Sequence, residues 1–147
     1  MTQLEEKTQK QIVSDLNCLA RLAALENAWD TRRIAAFMAE LYRYRRRKRG
    51  EPVELSTELR AVELCLRLVH PRYGTNCTWD FNARGFESVL VPRGELLNHV
   101  EERITRRTDG GGDISIRLEA VRENAACVIL LSGGPDDGET IRMKYPL

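Results

Sequence analysis

Residue types that carry acid–base or metal-ligand chemistry are few in this chain, and they do not cluster. The 147 residues include two histidines, His70 directly before a proline and His99 in a stretch with helical spacing. Neither has cysteine, aspartate or glutamate residues arranged around it in the manner of a catalytic or metal site. Glu101 and Glu102 are adjacent, and adjacent helical residues point in different directions, so they do not form a carboxylate pair. These residues therefore predict no catalytic centre and no metal site.

The four cysteines are scattered and predict no zinc site. They form no C-x-x-C pair and have no histidine at ligand spacing, and structural zinc sites depend on such clustering. We interpret them as small apolar residues buried in a protein of a reducing compartment. They are Cys18, Cys65, Cys77 and Cys127.

A run of cations within residues 43–49 is the strongest local charge feature. One interpretation is a contact with nucleic acid, phosphate or an anionic membrane, with Tyr44 as a stacking ring. The other is a solvated helix end, where the negative end of the helix dipole favours cations. Because the run closes a predicted helix and the net charge of the chain is only +1, we favour the helix end. The cations are Arg43, Arg45, Arg46, Arg47, Lys48 and Arg49.

Two glycine-rich segments resemble phosphate-binding loops in composition only. Gly110–Gly112 precedes a predicted strand, whereas phosphate-cradling loops follow a strand and open a helix. Ser132–Pro135 follows an apolar strand and has the composition of a strand-exit turn. Both segments are therefore predicted to be turns.

Composition indicates a folded domain rather than a disordered or membrane-spanning chain. Hydrophobic residues make up 42% and charged residues 31% of the sequence. No apolar run approaches the ~18 residues that span a bilayer, and the polar N-terminus does not resemble a signal peptide. We therefore expect a cytoplasmic protein, either complete or cut from a membrane-anchored parent.

Hydrophobic periodicity predicts a helical hairpin over residues 5–49, in a first domain of residues 1–50. The first helix is predicted to end near Asn27, followed by a turn over residues 28–30. Asp30 or Thr31 is predicted to cap the second helix. Two amphipathic helices joined by so short a link fold back on each other.

The second predicted domain, residues 51–147, begins with a third helix. Its apolar positions run from Leu55 to Val69, and Ser56 or Thr57 is available as the cap. Pro71 and Gly74 are predicted to close this helix.

A sheet and one further helix complete the second predicted domain. Alternating residues from Cys77 predict a strand, and Pro92 is predicted to open a fourth helix. Three strands are predicted over residues 114–120, 127–131 and 141–145. The chain is therefore predicted to have an α+β fold, with a helical hairpin followed by helices on one face of a sheet.

Eight short segments form a further pattern when their order along the chain is considered. They are Leu16–Asn17, Leu41–Tyr44, Glu58–Leu68, Arg72–Tyr73, Val91–Pro92 with Val100–Glu101, Gly110–Ile116 and Gly138–Leu147. In order and spacing these segments resemble the motifs of sensor histidine kinases of the LytS/YesM type. The resemblance extends over nearly the whole chain.

The resemblance implies a fold and an assembly. In that family the hairpins of two protomers form a four-helix bundle, and an ATPase-type α/β sandwich follows the hairpin. We therefore expect a homodimer whose shared core comes from the two helices of each hairpin. The candidate residues are Ile12, Leu16, Leu19, Ile34, Phe37 and Leu41.

The reactive positions of the family are replaced in this chain. Lys10 occupies the position of the phosphoacceptor histidine. Glu102 replaces the asparagine that coordinates magnesium, and Arg106–Arg107 replaces the histidine and glycine that follow. Ser132 replaces the aspartate that accepts from the adenine amino group, and Gly133 replaces the next asparagine.

The segment that would enclose the phosphates is shortened as well. Only Asp136–Asp137 separates the turn from the last strand, which leaves no room for the family's nucleotide lid and second glycine box. The resemblance thus implies a lidless sandwich with a vestigial nucleotide site. The vestigial positions are Glu101, Glu102, Ser132, Gly133 and Gly134.

Three hypotheses for the function follow. The leading one is an inactive kinase-like scaffold without catalytic residues, cofactor or metal, which dimerises and binds a signalling protein such as a response regulator or an active kinase. The second is a divergent sensor kinase that retains ATP and magnesium binding and phosphoryl transfer. The third is a nucleic-acid-binding module that uses residues 43–49.

Overall fold

Five α-helices and six β-strands are described in the computed structural model, which covers residues 2–25, 28–110, 112–133 and 140–147. The chain has the predicted α+β fold and divides into two compact units, Met1–Lys48 and Arg49–Leu147. In the described part of the chain, no helix is both long and apolar enough to cross a membrane. In order, the elements are α1 (Gln3–Leu25), α2 (Trp29–Arg46), β1 (Pro52–Glu54), α3 (Leu55–Arg67), α4 (Val69–Tyr73), β2 (Cys77–Asn82), β3 (Leu90–Pro92), α5 (Glu95–Gly110), β4 (Ile114–Glu123), β5 (Ala126–Gly133) and β6 (Thr140–Pro146).

The helical unit consists of α1 and α2, which pack along each other. Ala23 on α1 and Ala35 and Ala39 on α2 are buried, and side chains this small allow two helices to approach closely. Along both helices these buried residues alternate with exposed residues, many of them charged, as expected for helices at a protein surface.

The start of α2 differs from the prediction. The helix begins at Trp29 with Ala28 as its N-cap, and the cap makes no side-chain hydrogen bond. Asp30 therefore lies in the first turn, where its carboxylate interacts favourably with the helix dipole, and the predicted cap at Asp30 or Thr31 and the turn over 28–30 are wrong. Asn27, the predicted end of the first helix, lies outside the described residues.

The main sheet of the second unit has the strand order β2-β4-β5-β6. β2 runs parallel to β4, and the other two pairs are antiparallel. Along β4 the alternation is regular, with Ile114, Ile116 and Leu118 buried and Ser115 and Arg117 exposed. The helices α3 and α5 pack on each other and on this sheet, so its inward residues form the core.

A second, two-stranded sheet was not predicted. β1 and β3 pair antiparallel, with Val53 opposite Val91 and Pro52 opposite Pro92. Pro92 therefore ends a strand instead of opening a helix, and the prediction for it is wrong. Gly94, at φ 84°, makes the turn between β3 and α5, and positive φ favours glycine there.

The start of α3 also differs from the prediction. Ser56 and Thr57 lie inside the first turn, and Glu54 is the N-cap without a side-chain hydrogen bond. Backbone carbonyls take the place of a cap: the N–H of Leu55 donates to the Val89 oxygen at 2.7 Å, and the N–H of Ser56 donates to the Glu87 oxygen at 3.0 Å. These two bonds satisfy donors that a helix start leaves open.

The end of this helical region agrees with the prediction in part. α3 stops at Arg67, and Pro71 lies in the first turn of the separate helix α4, where its missing N–H is tolerated. Gly74 ends α4 in the left-handed conformation at φ 69°, and its N–H donates to the His70 carbonyl at 2.8 Å.

Candidate functional site

A buried carboxylate on α3 holds the start of α5. Glu58 shares the apolar face of α3 with Leu55 and Val62 and is 0% exposed. Its Oε1 accepts from the N–H of Gly94 at 2.9 Å, and its Oε2 accepts from the N–H of Leu97 at 3.1 Å. Both donors belong to the open N-terminal end of a helix, which attracts negative charge. Glu58 thereby fixes the position of α5 relative to α3.

The first turn of α5 is also tied to the last strand. The hydroxyl of Tyr145 on β6 donates to Oε1 of Glu95 at 2.9 Å. Burial raises the pKa of Tyr145 above its ordinary value of 10.0, and the hydrogen bond to Glu95 raises it further. The phenol is therefore a protonated donor at neutral pH and serves as a structural contact between α5 and the sheet.

Arg103 extends from α5 into the core beside the end of β5. The side chain is 1% exposed and lies on the same helical face as Leu96 and Val100. A β-carbon placed on Gly133 would lie 3.0 Å from its Nη1, whereas the other nearest atoms, Ser115 O and Ile116 Cδ1, would lie at 3.4 and 3.5 Å. The guanidinium thus occupies the space between α5 and the end of the sheet, and Gly133 leaves room for it.

The vestigial positions named from the sequence belong to α5 and to the end of β5. Glu102 is exposed on α5, where its carboxylate accepts from the Asn98 amide at 3.4 Å, and Glu101 is half-buried. Ser132 is half-buried in β5, opposite Arg117 in β4. The approach of Arg103 to Gly133 links the two elements that carry these positions. Gly134, Asp136 and Asp137 lie outside the described residues.

The described residues hold no group of three or more histidine, cysteine, aspartate or glutamate side chains that could bind a metal ion. His70 is exposed and His99 is half-buried.

The cysteines do not all follow the prediction. Cys65 and Cys127 are buried and Cys77 is half-buried, but Cys18 is exposed on α1, so the prediction of burial is wrong for Cys18. Burial raises the pKa of the Cys77 thiol to about 11, and nearby Cys65 adds to the increase. Burial likewise raises the pKa of Cys127. These raised values suppress the thiolate form that nucleophilic chemistry requires.

The residues named for a dimer core differ in exposure. Leu19 on α1 is 53% exposed, and Leu22, one turn further along, is 49% exposed. Ile12, Leu16, Ile34 and Phe37 are half-buried. Leu41 is 2% exposed in the single chain, so a partner would bury little more of it. Lys10, at the phosphoacceptor position of the resemblance, is exposed on α1.

The basic run lies at the C-terminal end of α2. Arg43, Arg45 and Arg46 are in the last turn, and Arg47 is the C-cap, whose N–H donates to the Tyr44 carbonyl. Lys48 and Arg49 follow and are exposed. The run therefore occupies the helix end at which cations are favoured by the dipole.

Sequence reasoning missed the roles of Glu58 and Arg103. Both carried a detectable signal, because each is a charged residue at a position where helical spacing calls for an apolar one. Glu58 falls three residues after Leu55, and Arg103 falls three residues after Val100. A charge on an apolar face indicates a buried partner, although it does not identify one.

We expect Glu58→Ala to lower the free energy of unfolding by about 3 kcal/mol, because two helix N–H groups lose their acceptor and a cavity forms. Glu58→Gln should give a smaller loss, since its amide oxygen still accepts one of these bonds. The control is Glu63→Ala on the same helix, which removes ion pairs with Arg60 and Arg67 at the surface and should cost less than about 1 kcal/mol. Urea denaturation measures all three, and equal losses for Glu58→Ala and Glu63→Ala would contradict the capping role.

We expect Gly133→Ala to destabilise the fold by about 1 kcal/mol, because the new methyl group must displace the buried guanidinium of Arg103. In the Arg103→Ala background most of this loss should disappear, which a double-mutant cycle measures by thermal or urea denaturation. An equal loss in both backgrounds would show that Arg103 does not restrict Gly133.

Comparison of this chain with family models and with curated proteins gives no match to either.

Proposed function

We propose that this chain is a catalytically inactive, sensor-kinase-like module that acts as a dimeric protein-interaction scaffold in cytoplasmic two-component signalling. The observation that carries the proposal is the buried guanidinium of Arg103 against Gly133, at 1% exposure. In the kinases that the sequence resembles, nucleotide lies between the helix that corresponds to α5 and the sheet. Here a side chain of the protein fills part of that space.

The electrostatics around the same space also disfavour nucleotide. Glu102 is exposed where the resemblance requires a neutral magnesium ligand, so it would add negative charge beside a triphosphate. Ser132 replaces the carboxylate that accepts from the adenine amino group. The chain therefore lacks both the contact that would recognise adenine and the neutral ligand that would bind magnesium.

Phosphoryl transfer also needs a nucleophile in line with the phosphate. In the kinases that the sequence resembles, a histidine nitrogen accepts the phosphoryl group. Lys10 occupies that position here and is exposed on α1, so the accepting imidazole is absent from it. Loss of the nucleophile and of the nucleotide contacts leaves protein binding as the function that the remaining surfaces support.

The exposed leucines of α1 support dimerisation as part of that function. Leu19 and Leu22 lie within one turn of each other and are about half exposed, which is unfavourable for a monomer in water. Pairing of two hairpins in a four-helix bundle would remove both side chains from water. We propose that the dimer in turn presents a surface to a response regulator or an active kinase.

We expect isothermal titration of the full chain with a non-hydrolysable ATP analogue and magnesium to give no binding tighter than about 1 mM. Arg103, Glu102 and Ser132 remove the space and the contacts that nucleotide requires. A Kd on the order of 10 µM would contradict the proposal and support the divergent kinase instead.

We expect sedimentation equilibrium to give a molecular mass of twice the chain mass of 16.8 kDa. The protein concentration should be on the order of tens of micromolar, because the dimer fraction depends on concentration. Leu19→Glu should shift the protein to monomer, because it places a charge in the proposed shared core. The control is Leu90→Glu, which changes a leucine of similar exposure, 57%, in the second unit and should leave the dimer intact. A monomeric native chain, or equal effects of both variants, would contradict the dimer.

A further inference from the structure

The two outermost strands of the main sheet differ in how well they can pair with a further strand. Of the described strands, β2 lies at one side of this sheet and β6 at the other. β6 carries residues by which proteins usually block an open edge, because Arg142 and Lys144 are exposed and Pro146 ends the strand. β2 contains no lysine, arginine or proline. The outer edge of β2 is therefore the one that remains suited to pairing.

The direction of the backbone groups of β2 follows from its pairing with β4. The N–H of Ile114 donates to the carbonyl oxygen of Asn76 at 2.8 Å. In a parallel pair only alternate residues of a strand bond to the neighbouring strand, so the N–H and C=O groups of even-numbered residues face β4. The N–H and C=O groups of Trp79 and Phe81 consequently point away from the sheet. An extended chain placed there can form backbone hydrogen bonds at both residues.

The segments next to β2 leave this edge open. Residues 74–76 and 83–89, on either side of the strand, are described throughout. Among the described residues, no backbone group of another segment bonds to the outer groups of Trp79 or Phe81. An edge of this kind is a template for an additional strand.

One face of β2 offers apolar surface to an added strand. Trp79 and Phe81 are half-buried on the face that packs on α3, where the guanidinium carbon of Arg67 lies 5.4 Å from the centre of the Trp79 ring. Arg67 also pairs with Glu63 at 2.8 Å. The parts of the two aromatic rings that are still in contact with water would be covered by apolar side chains of a neighbouring strand.

The opposite face of β2 carries the charge that selects the occupant. Asp80 is exposed, and Arg117 of β4 lies opposite it. A lysine or arginine on the added strand would extend this row to three strands with alternating charge, and opposite charges on neighbouring strands attract. The second unit as a whole carries sixteen acidic residues against thirteen lysines and arginines, which also favours a basic segment.

A second copy of this chain is a poorer occupant of the same edge. Two antiparallel β2 strands would pair odd-numbered residues with each other, because these residues carry the outer N–H and C=O groups. A register centred on Asp80 places two carboxylates directly opposite each other, which is destabilising. A register centred on Trp79 places Asp80 opposite Thr78, so the carboxylate gains no cation.

We propose that the outer edge of β2 binds an extended basic segment of a signalling partner, which adds a strand to the sheet. In this segment apolar residues lie beside Trp79 and Phe81, and lysines or arginines alternate with them on the face of Asp80. The proposal rests on the scaffold function proposed above and names the chemistry of the partner.

The first test measures the role of Asp80 with a fluorescein-labelled peptide in which valine and lysine alternate. A length of about seven residues covers a strand of this size. Fluorescence anisotropy with the full chain should give a Kd on the order of 10 µM. Asp80→Lys should weaken binding about fivefold, because a cation then faces the lysines. The same variant should bind more tightly a peptide that has glutamate in place of lysine.

The matched control is Glu54→Lys, which makes the same charge change at an exposed residue of another strand, β1. It should alter the Kd by less than about twofold, because salt screens charges that are not in contact. Circular dichroism checks that each variant is folded.

The second test examines the backbone bonds with two N-methylated forms of the peptide. One form is methylated on the valine nitrogens and the other on the lysine nitrogens. Because only alternate residues of an added strand donate to the edge, the two Kd values should differ at least about tenfold. A peptide held by charge alone would show no such difference.

Three results would overturn the proposal on the peptide side: absence of binding, equal Kd values of the two methylated peptides, or equal effects of Asp80→Lys and Glu54→Lys. Assemblies larger than the dimer that Asp80→Lys dissociates would also overturn it, since a second copy would then occupy the edge.

Sedimentation separates this proposal from the scaffold function, because Asp80→Lys should remain dimeric. A dimer that binds neither nucleotide nor peptide would remove the assignment of the β2 edge alone. Micromolar nucleotide binding would instead remove the function on which it rests.

Discussion

The second unit depends on one buried charge, the carboxylate of Glu58. A carboxylate at 0% exposure is stable only when its oxygens are satisfied, and the two N–H groups at the start of α5 satisfy them at 2.9 and 3.1 Å. The same bonds remove two open donors from the helix end. Neither α3 nor α5 can therefore move along the other without exposing an unsatisfied group on each side. This constraint sets where every residue of α5 lies relative to the sheet, Arg103 included.

The position of Arg103 follows from the hydrogen bonds that fix α5, although an arginine side chain by itself prefers water. An arginine between Val100 and Ile104 would normally extend to solvent, yet here it is 1% exposed beside Gly133. Because α5 is held at its start by Glu58 and Tyr145, the guanidinium lies where the helix faces the end of β5. A ligand that entered this space would have to displace a buried cation. The space between α5 and the end of β5 is therefore part of the protein core in this chain.

Sequence periodicity predicts those helices and strands in which apolar residues recur at a regular spacing. The alternation of Ile114, Ile116 and Leu118 predicts β4, and the helical spacing of the first 49 residues predicts the paired helices. The three-residue strands β1 and β3 are too short to show a period, so they were missed. The start of α3 was misplaced for a different reason: its open donors bond to the carbonyls of Glu87 and Val89, more than 30 residues away. Local side-chain signals cannot indicate a cap supplied by distant backbone. The proximity of Arg103 to Gly133 was unpredictable for the same reason.

The distribution of charge between the two units bears on where partners bind. The helical unit carries ten lysines and arginines against six acidic residues, and the second unit carries thirteen against sixteen. In the second unit the two most buried charges, Glu58 and Arg103, are used for packing and are withdrawn from solvent. In the helical unit Lys10, Arg21, Arg32 and Arg33 are exposed, so the charge of this unit stays in contact with solvent. A buried charge stabilises one conformation, whereas an exposed charge acts on molecules that approach the protein. In the proposed scaffold, the helical unit is therefore the part whose net positive charge would act on an approaching partner.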